Sequence, residues 1–132
     1  MSRRVVIPPP LVMTRYTLFF GDLELGVVGE RDADFPNLWG DFVASDKTDH
    51  PDLRARIQRF VDHCRQADRL ISQGDAEGSP YDRFVQENEP QFADLIDSSD
   101  WYLVDGSGRR LAILVPNFVA DGVVWRWDPR SS

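Results

Sequence analysis

Trp101-Tyr-Leu-Val104, Asp105-Gly-Ser-Gly108, Leu111-Ala-Ile-Leu-Val115, Asp121-Gly122 and Val123-Val-Trp-Arg-Trp127 follow one another towards the C-terminus. Three runs of β-branched, aliphatic and aromatic residues are separated by two turn signals. That pattern predicts a three-stranded antiparallel meander. The rest of the chain reads as cover for that sheet or as an extension of it.

A second set of strands lies near the N-terminus. Arg15–Phe20 and Leu23–Glu30 flank Gly21-Asp22, and glycine in the first turn position suits a type II′ hairpin. Tyr16, Leu18 and Phe20 share one face of the first run, and Thr17 and Phe19 share the other. Asp32–Asp34 reads as a polar bend, and Leu38–Val43 as a short third strand. Between the two sets the period changes. Leu53, Ile57, Phe60, Val61, Cys64, Ala67, Leu70 and Ile71 make a helical stripe, opened by Pro51 and ended by Gly74. A second helix starts at Ser79-Pro80, with Tyr81, Phe84, Val85, Phe92, Leu95 and Ile96 on one side. Pro90 interrupts it, and we read a stop near Asn88 with a restart at Pro90.

Strands, helices, then strands give an α+β class: one domain, 14–128, with a mostly antiparallel sheet of five to six strands and the helices on one face. Its order is β-β-(β)-α-α-β-β-β. Trp101, Leu103, Ile113 and Val115 are expected in the core, with Ile57, Phe60, Phe84 and Phe92 packed on them. Residues 1–13, with Pro8-Pro9-Pro10, read as an arm outside the fold, and 129–132 as a tail. Neither the first nor the last strand carries an internal proline, and each has a single charge. Both therefore read as open edges on which a two-fold homodimer can pair.

The layout resembles that of small stand-alone bacterial α+β proteins of unknown function. The resemblance rests on the apolar strand Tyr16–Phe20, Gly21-Asp22, Leu23-Glu-Leu-Gly26, Asp34-Phe-Pro36 and Trp39-Gly-Asp-Phe42. A helical middle and a closing hairpin that ends in Trp125-Arg-Trp127 complete it. These shared residues are structural, so the resemblance implies a fold and no activity, cofactor or site.

Charge narrows the function classes. The 132 residues carry a net charge of −7, which disfavours non-specific nucleic-acid binding and leaves basic proteins as partners. Fourteen of the fifteen basic residues are arginine, so specific anion sites remain open. Cys64 is the single cysteine, which excludes an internal disulfide and fits a reducing, cytoplasmic setting. No run is apolar for long enough to cross a bilayer.

No catalytic set emerges. His63 and Cys64 are adjacent on the first helix and point about 100° apart, so they do not form a nucleophile–base pair. With His50 they lack metal-site spacing, and Asp41, Asp46, Asp49 and Asp52 lack the pattern of a calcium loop. Gly106-Ser107-Gly108 opens no helix and so cradles no phosphate. We therefore expect no catalytic, cofactor-binding or metal residues. Two surfaces stand as candidates. One is an interaction surface of Trp125, Arg126 and Trp127 with the acidic Glu87, Glu89, Asp94 and Asp97. Its two tryptophans are core if they face the helices and a partner platform if they face outward. The other is a pocket between helices and sheet lined by Trp39, Tyr81, Phe84 and Trp101. The leading expectation is a non-catalytic acidic interaction module, immunity- or inhibitor-like, facing a basic protein. The alternative is a small-molecule binder, and an enzyme comes third.

Overall fold

A computed structural model describes residues 14–34, 37–72, 80–120 and 122–129. The expected arm 1–13, the helix end at Gly74 and the tail beyond Pro129 lie outside the described residues. The chain runs β1 (Arg15–Phe20), β2 (Leu23–Asp34), β3 (Asn37–Ala44), α1 (Pro51–Ser72), α2 (Pro80–Asn88), a 3₁₀ turn (Glu89–Phe92), α3 (Ala93–Ile96), β4 (Trp101–Val104), β5 (Arg110–Ala112), β6 (Asn117–Val119) and β7 (Gly122–Trp125). This is the expected α+β class, with one antiparallel sheet in the order β5-β4-β1-β2-β3-β7-β6.

Local chemistry fixes the first hairpin. Gly21 takes φ +60°, as a type II′ turn requires of its first residue. The turn is tied to β4 twice: Gly21 N–H donates to Asp100 O at 2.9 Å, and Tyr102 Oη donates to Gly21 O at 2.8 Å. Where a bend was expected at Asp32–Asp34, β2 instead continues, pairing with Asn37–Trp39 after a register shift next to Arg31. A bulge absorbs the extra residue, so this polar stretch keeps its ladder without flipping the core face.

Among the described residues the sheet has seven strands rather than five to six. Leu111–Val115 is not one strand: β5 stops at Ala112, and Asn117–Val119 forms β6, paired with β7. The sheet then rolls until its ends meet. Ile113, just after β5, bridges Trp127, just after β7. Leu114 N–H donates to Arg126 O at 3.1 Å, and Asp128 N–H donates to Ala112 O at 3.0 Å. Six strands thus close into a barrel along a short seam, with β6 as an added flap.

Glycine permits the curvature. A Cβ on Gly40 would stand 2.4 Å from Gly29 O, and one on Gly122 would stand 2.3 Å from Gly40 O. No side chain fits there, so these positions form a crease across β2, β3 and β7.

Closure overturns the reading of the first and last strands as edges. β1 lies between β4 and β2, and β7 between β3 and β6. The backbone groups meant to recruit a second copy are already paired within the chain, so the edge argument for a homodimer fails.

The barrel interior holds Leu18, Val28, Leu103, Ile113, Phe118 and Trp125, all buried. Tyr16 meets Trp125 and Trp127 edge-on, with centroids 6.2 and 5.9 Å apart. β1 and β7 are not neighbours in the sheet, so this contact crosses the interior. At the opposite end α1 acts as the plug. Its Ile57, Phe60, Val61 and Cys64 are buried, and Phe60 touches Trp101, Phe118 and Phe92. Polar staples hold it there. Arg54 donates to Glu24 O at 2.8 Å, Arg65 to Val119 O at 3.3 Å, and Asp68 accepts from Ala120 N–H at 3.3 Å. The helical register breaks at Pro90, where α2 gives way to the 3₁₀ turn. Proline lacks the N–H that would have continued α2.

Ile57 sits in the plug, so Ile57→Ala should lower unfolding free energy by about 2–5 kcal/mol in urea titration. Gly40→Ala should destabilise more strongly than Gly106→Ala, whose Cβ meets nothing within 4 Å. Equal effects at both glycines would remove the crease from the account.

Candidate binding site

Cys64 is buried, and burial pushes its thiol up to about 11, so it is protonated at neutral pH. His63 is only 7% exposed and stacks on Phe84 with centroids 5.0 Å apart. Burial lowers its pKa, opposed by Glu89, whose carboxylate lies 3.8 Å from Nε2. His63 Nδ1 is buried and has no hydrogen-bond partner among the described residues. His63, Cys64 and Glu89 share a cleft between α1, α2 and β6 with a volume of about 230 Å³. A protonated thiol beside a histidine biased towards neutrality offers neither an activated nucleophile nor a charged acid. No group of three or more His, Cys, Asp or Glu able to hold a metal ion occurs among the described residues. Of the acidic run, Asp41 pairs with Arg31 at 2.9 Å and Asp49 with Arg54 at 2.5 Å. Asp49 is held below the usual carboxylate range by that hydrogen bond.

The four aromatics expected to line one pocket are not brought together. Trp101 is fully buried, with Nε1 donating to Leu95 O at 2.8 Å. Trp39 lies on the outside of β3, with Arg31 over its ring at 5.3 Å. Tyr81 lines the α1–α2 cleft, and Phe84 faces a separate, shallower hollow beside His63. The expected interaction surface divides as well. Trp125 is buried inside the barrel, Trp127 is half-buried on the seam, and only Arg126 points outward, donating to Asn37 Oδ1 at 2.8 Å. Of the two orientations left open for the tryptophans, Trp125 takes the buried one, against Tyr16 rather than a helix, whereas Trp127 is only partly buried. Glu87, Glu89, Asp94 and Asp97 are exposed around the 3₁₀ turn, and Asp94 is engaged by Arg56.

Two features escaped the sequence. One is the outer wall of the barrel. Val43, Val27, Thr17 and Val104 form a crosswise row over four strands. Beside it Phe19 stacks on Tyr102 with centroids 5.1 Å apart, and Arg110 lies 4.3 Å from the Tyr102 ring centre. The other is a cleft of about 480 Å³ at the unplugged end of the barrel, between Tyr16, Trp127 and the β4–β5 turn. Strand parity signals Thr17 and Val43, but Val27 shares the parity of the buried Leu23 and Leu25, and only the bulge beside Leu25 turns it outward. The cleft has no local signal. No helix among the described residues is long and apolar enough to cross a membrane.

No family model, curated protein or solved structure matches the chain.

His63 gives a pH signature. The unfolded chain holds His63 near the ordinary value of 6.5, and the folded value lies below it. The unfolded state thus binds more protons as pH falls. The His63 contribution is complete above that value and is lost as pH drops through the lowered folded one. Urea midpoints between pH 7.5 and 5 should fall more steeply for the native chain than for His63→Gln. Parallel slopes would contradict the buried-histidine assignment.

Proposed function

We propose that this chain is a non-catalytic interaction module that binds a protein partner through the outer wall of β1–β4. The observation that carries the reading is the uncovered apolar row. Val43 is 68% exposed and Val27 39%. Each lies directly across a strand from the next, and no described element packs over them. Aligned β-branched side chains with an aromatic stack beside them leave a contiguous apolar patch in water, and such patches mark partner sites. A net charge of −7 favours a basic partner by steering the encounter. Asp22 in the β1–β2 turn and Asp46 after β3 place exposed carboxylates at the rim. An inhibitor- or immunity-type role against a basic protein is the specific form this reading takes. The lack of a nucleophile–base pair at His63 and Cys64 supports binding over catalysis.

The test uses the whole chain as bait in quantitative cross-linking from cells that express it. Val27→Arg with Val43→Arg should abolish capture of a specific protein. Because both residues are exposed, stability should stay within about 0.5 kcal/mol. The captured protein should bind more slowly as salt is raised. A partner retained by the double variant would move the interface elsewhere.

A further inference from the structure

We propose that the open end of the barrel is a second, separate site, which binds a small planar carboxylate. The site adjoins the protein-binding wall at Arg110 but is otherwise lined by residues of its own.

The two ends of the barrel differ. α1 fills one, whereas the other keeps a cleft of about 480 Å³, within the roughly 300–1,000 Å³ typical of small-ligand sites. Its apolar wall comes from Tyr16 and Trp127, fixed edge-to-face at 74°. Trp125 packs against both rings, so neither is free to collapse into the space. Trp125 stands behind these rings and does not itself line the cleft; its buried Nε1 has no acceptor among the described residues.

The charged groups of the cleft are unequally occupied. Asp105 spends Oδ1 on its own turn, accepting from Ser107 N–H at 2.9 Å, Ser107 Oγ at 2.6 Å and Arg109 N–H at 3.0 Å. Asp128 is 7% exposed and not without a partner. Tyr16 donates to Glu30 Oε1 at 3.2 Å, and burial pushes its hydroxyl up to about 12, so it adds no negative charge. The arginines are what remain. The Arg109 guanidinium enters no hydrogen bond or ion pair among the described residues, and Arg110 has only the Tyr102 ring. Asp105 lines the same cleft and feels the charge of Arg109, but the guanidinium donors of Arg109 are not spent on it, so two adjacent arginines leave the cleft rim with donors to offer. A guanidinium presents a planar fork that matches a carboxylate, and the rings offer a surface for a flat group. An aryl carboxylate meets both requirements.

The full chain is titrated with 4-hydroxybenzoate and, separately, with the neutral 4-hydroxybenzamide. Calorimetry gives affinity, and NMR follows the tryptophan indole and arginine Nε–H signals. The expected result is saturable benzoate binding that shifts Trp127 and Arg109. The amide should bind at least about tenfold more weakly, and Arg109→Gln should weaken benzoate by a similar factor. Val27→Arg with Val43→Arg should leave it unchanged, which separates this site from the protein-binding wall. Equal affinity for the two probes, shifts confined to the α1–α2 cleft, benzoate binding insensitive to Arg109→Gln, or no saturation by about 10 mM would each overturn the proposal.

Discussion

The bridge between Ile113 and Trp127 is the constraint on which the architecture turns. Without it the chain is a twisted open sheet with a helix on one face. With it, β5 and β7 extend into each other, and the concave face becomes an interior. Trp125 is then enclosed beside Tyr16, and Trp127 closes the seam with one side left to the open-end cleft. Both terminal strands of the sequence sit inside the sheet order, so the main edges are paired off. Closure also makes two unlike ends. One receives Phe60 and Ile57 of α1, and the other stays open.

The seam needs help from elsewhere. Two flanking hydrogen bonds, each contributing about 1 kcal/mol net, are a weak clasp alone. The crease at Gly40 and Gly122 lets the sheet bend far enough for the ends to meet. The interior aromatics then reward closure by leaving water, each large ring burying on the order of 150–250 Å². Arg65 and Asp68 hold α1 to the β6–β7 end, so the plug and the flap brace each other.

What the sequence disclosed was local. Gly21 fixed the first hairpin, Pro51 the start of α1 and Pro90 the break after α2, because each acts through its own backbone geometry. The helical stripe was equally plain, since Ile57, Phe60 and Cys64 repeat at the period of the element that carries them. Closure was not legible. It depends on Ile113 finding Trp127, and on carbonyls of Gly29 and Gly40 meeting glycines on neighbouring strands, and no local pattern encodes either. β6 was missed because three residues, Asn117–Val119, follow Pro116 and carry no usable alternation. The open-end cleft was hidden for the same reason as the seam. Tyr16, Arg109 and Trp127 come from distant parts of the chain, and only the roll of the sheet brings them to one rim. Trp39 and Trp101 show the converse error: aromatic residues suggest a shared pocket, but strand parity sends one outward and the other into the core.

Amide hydrogen exchange at the seam tests closure most directly. The N–H groups of Leu114 and Asp128 are bonded only if the ends of the sheet meet. The barrel predicts that both exchange as slowly as the paired amides of β1 and β2, through opening that approaches global unfolding. Exchange at the rate of the exposed Gly106-Ser107 turn, with β1 and β2 still protected, would mean that the sheet is open and the account of this fold is wrong.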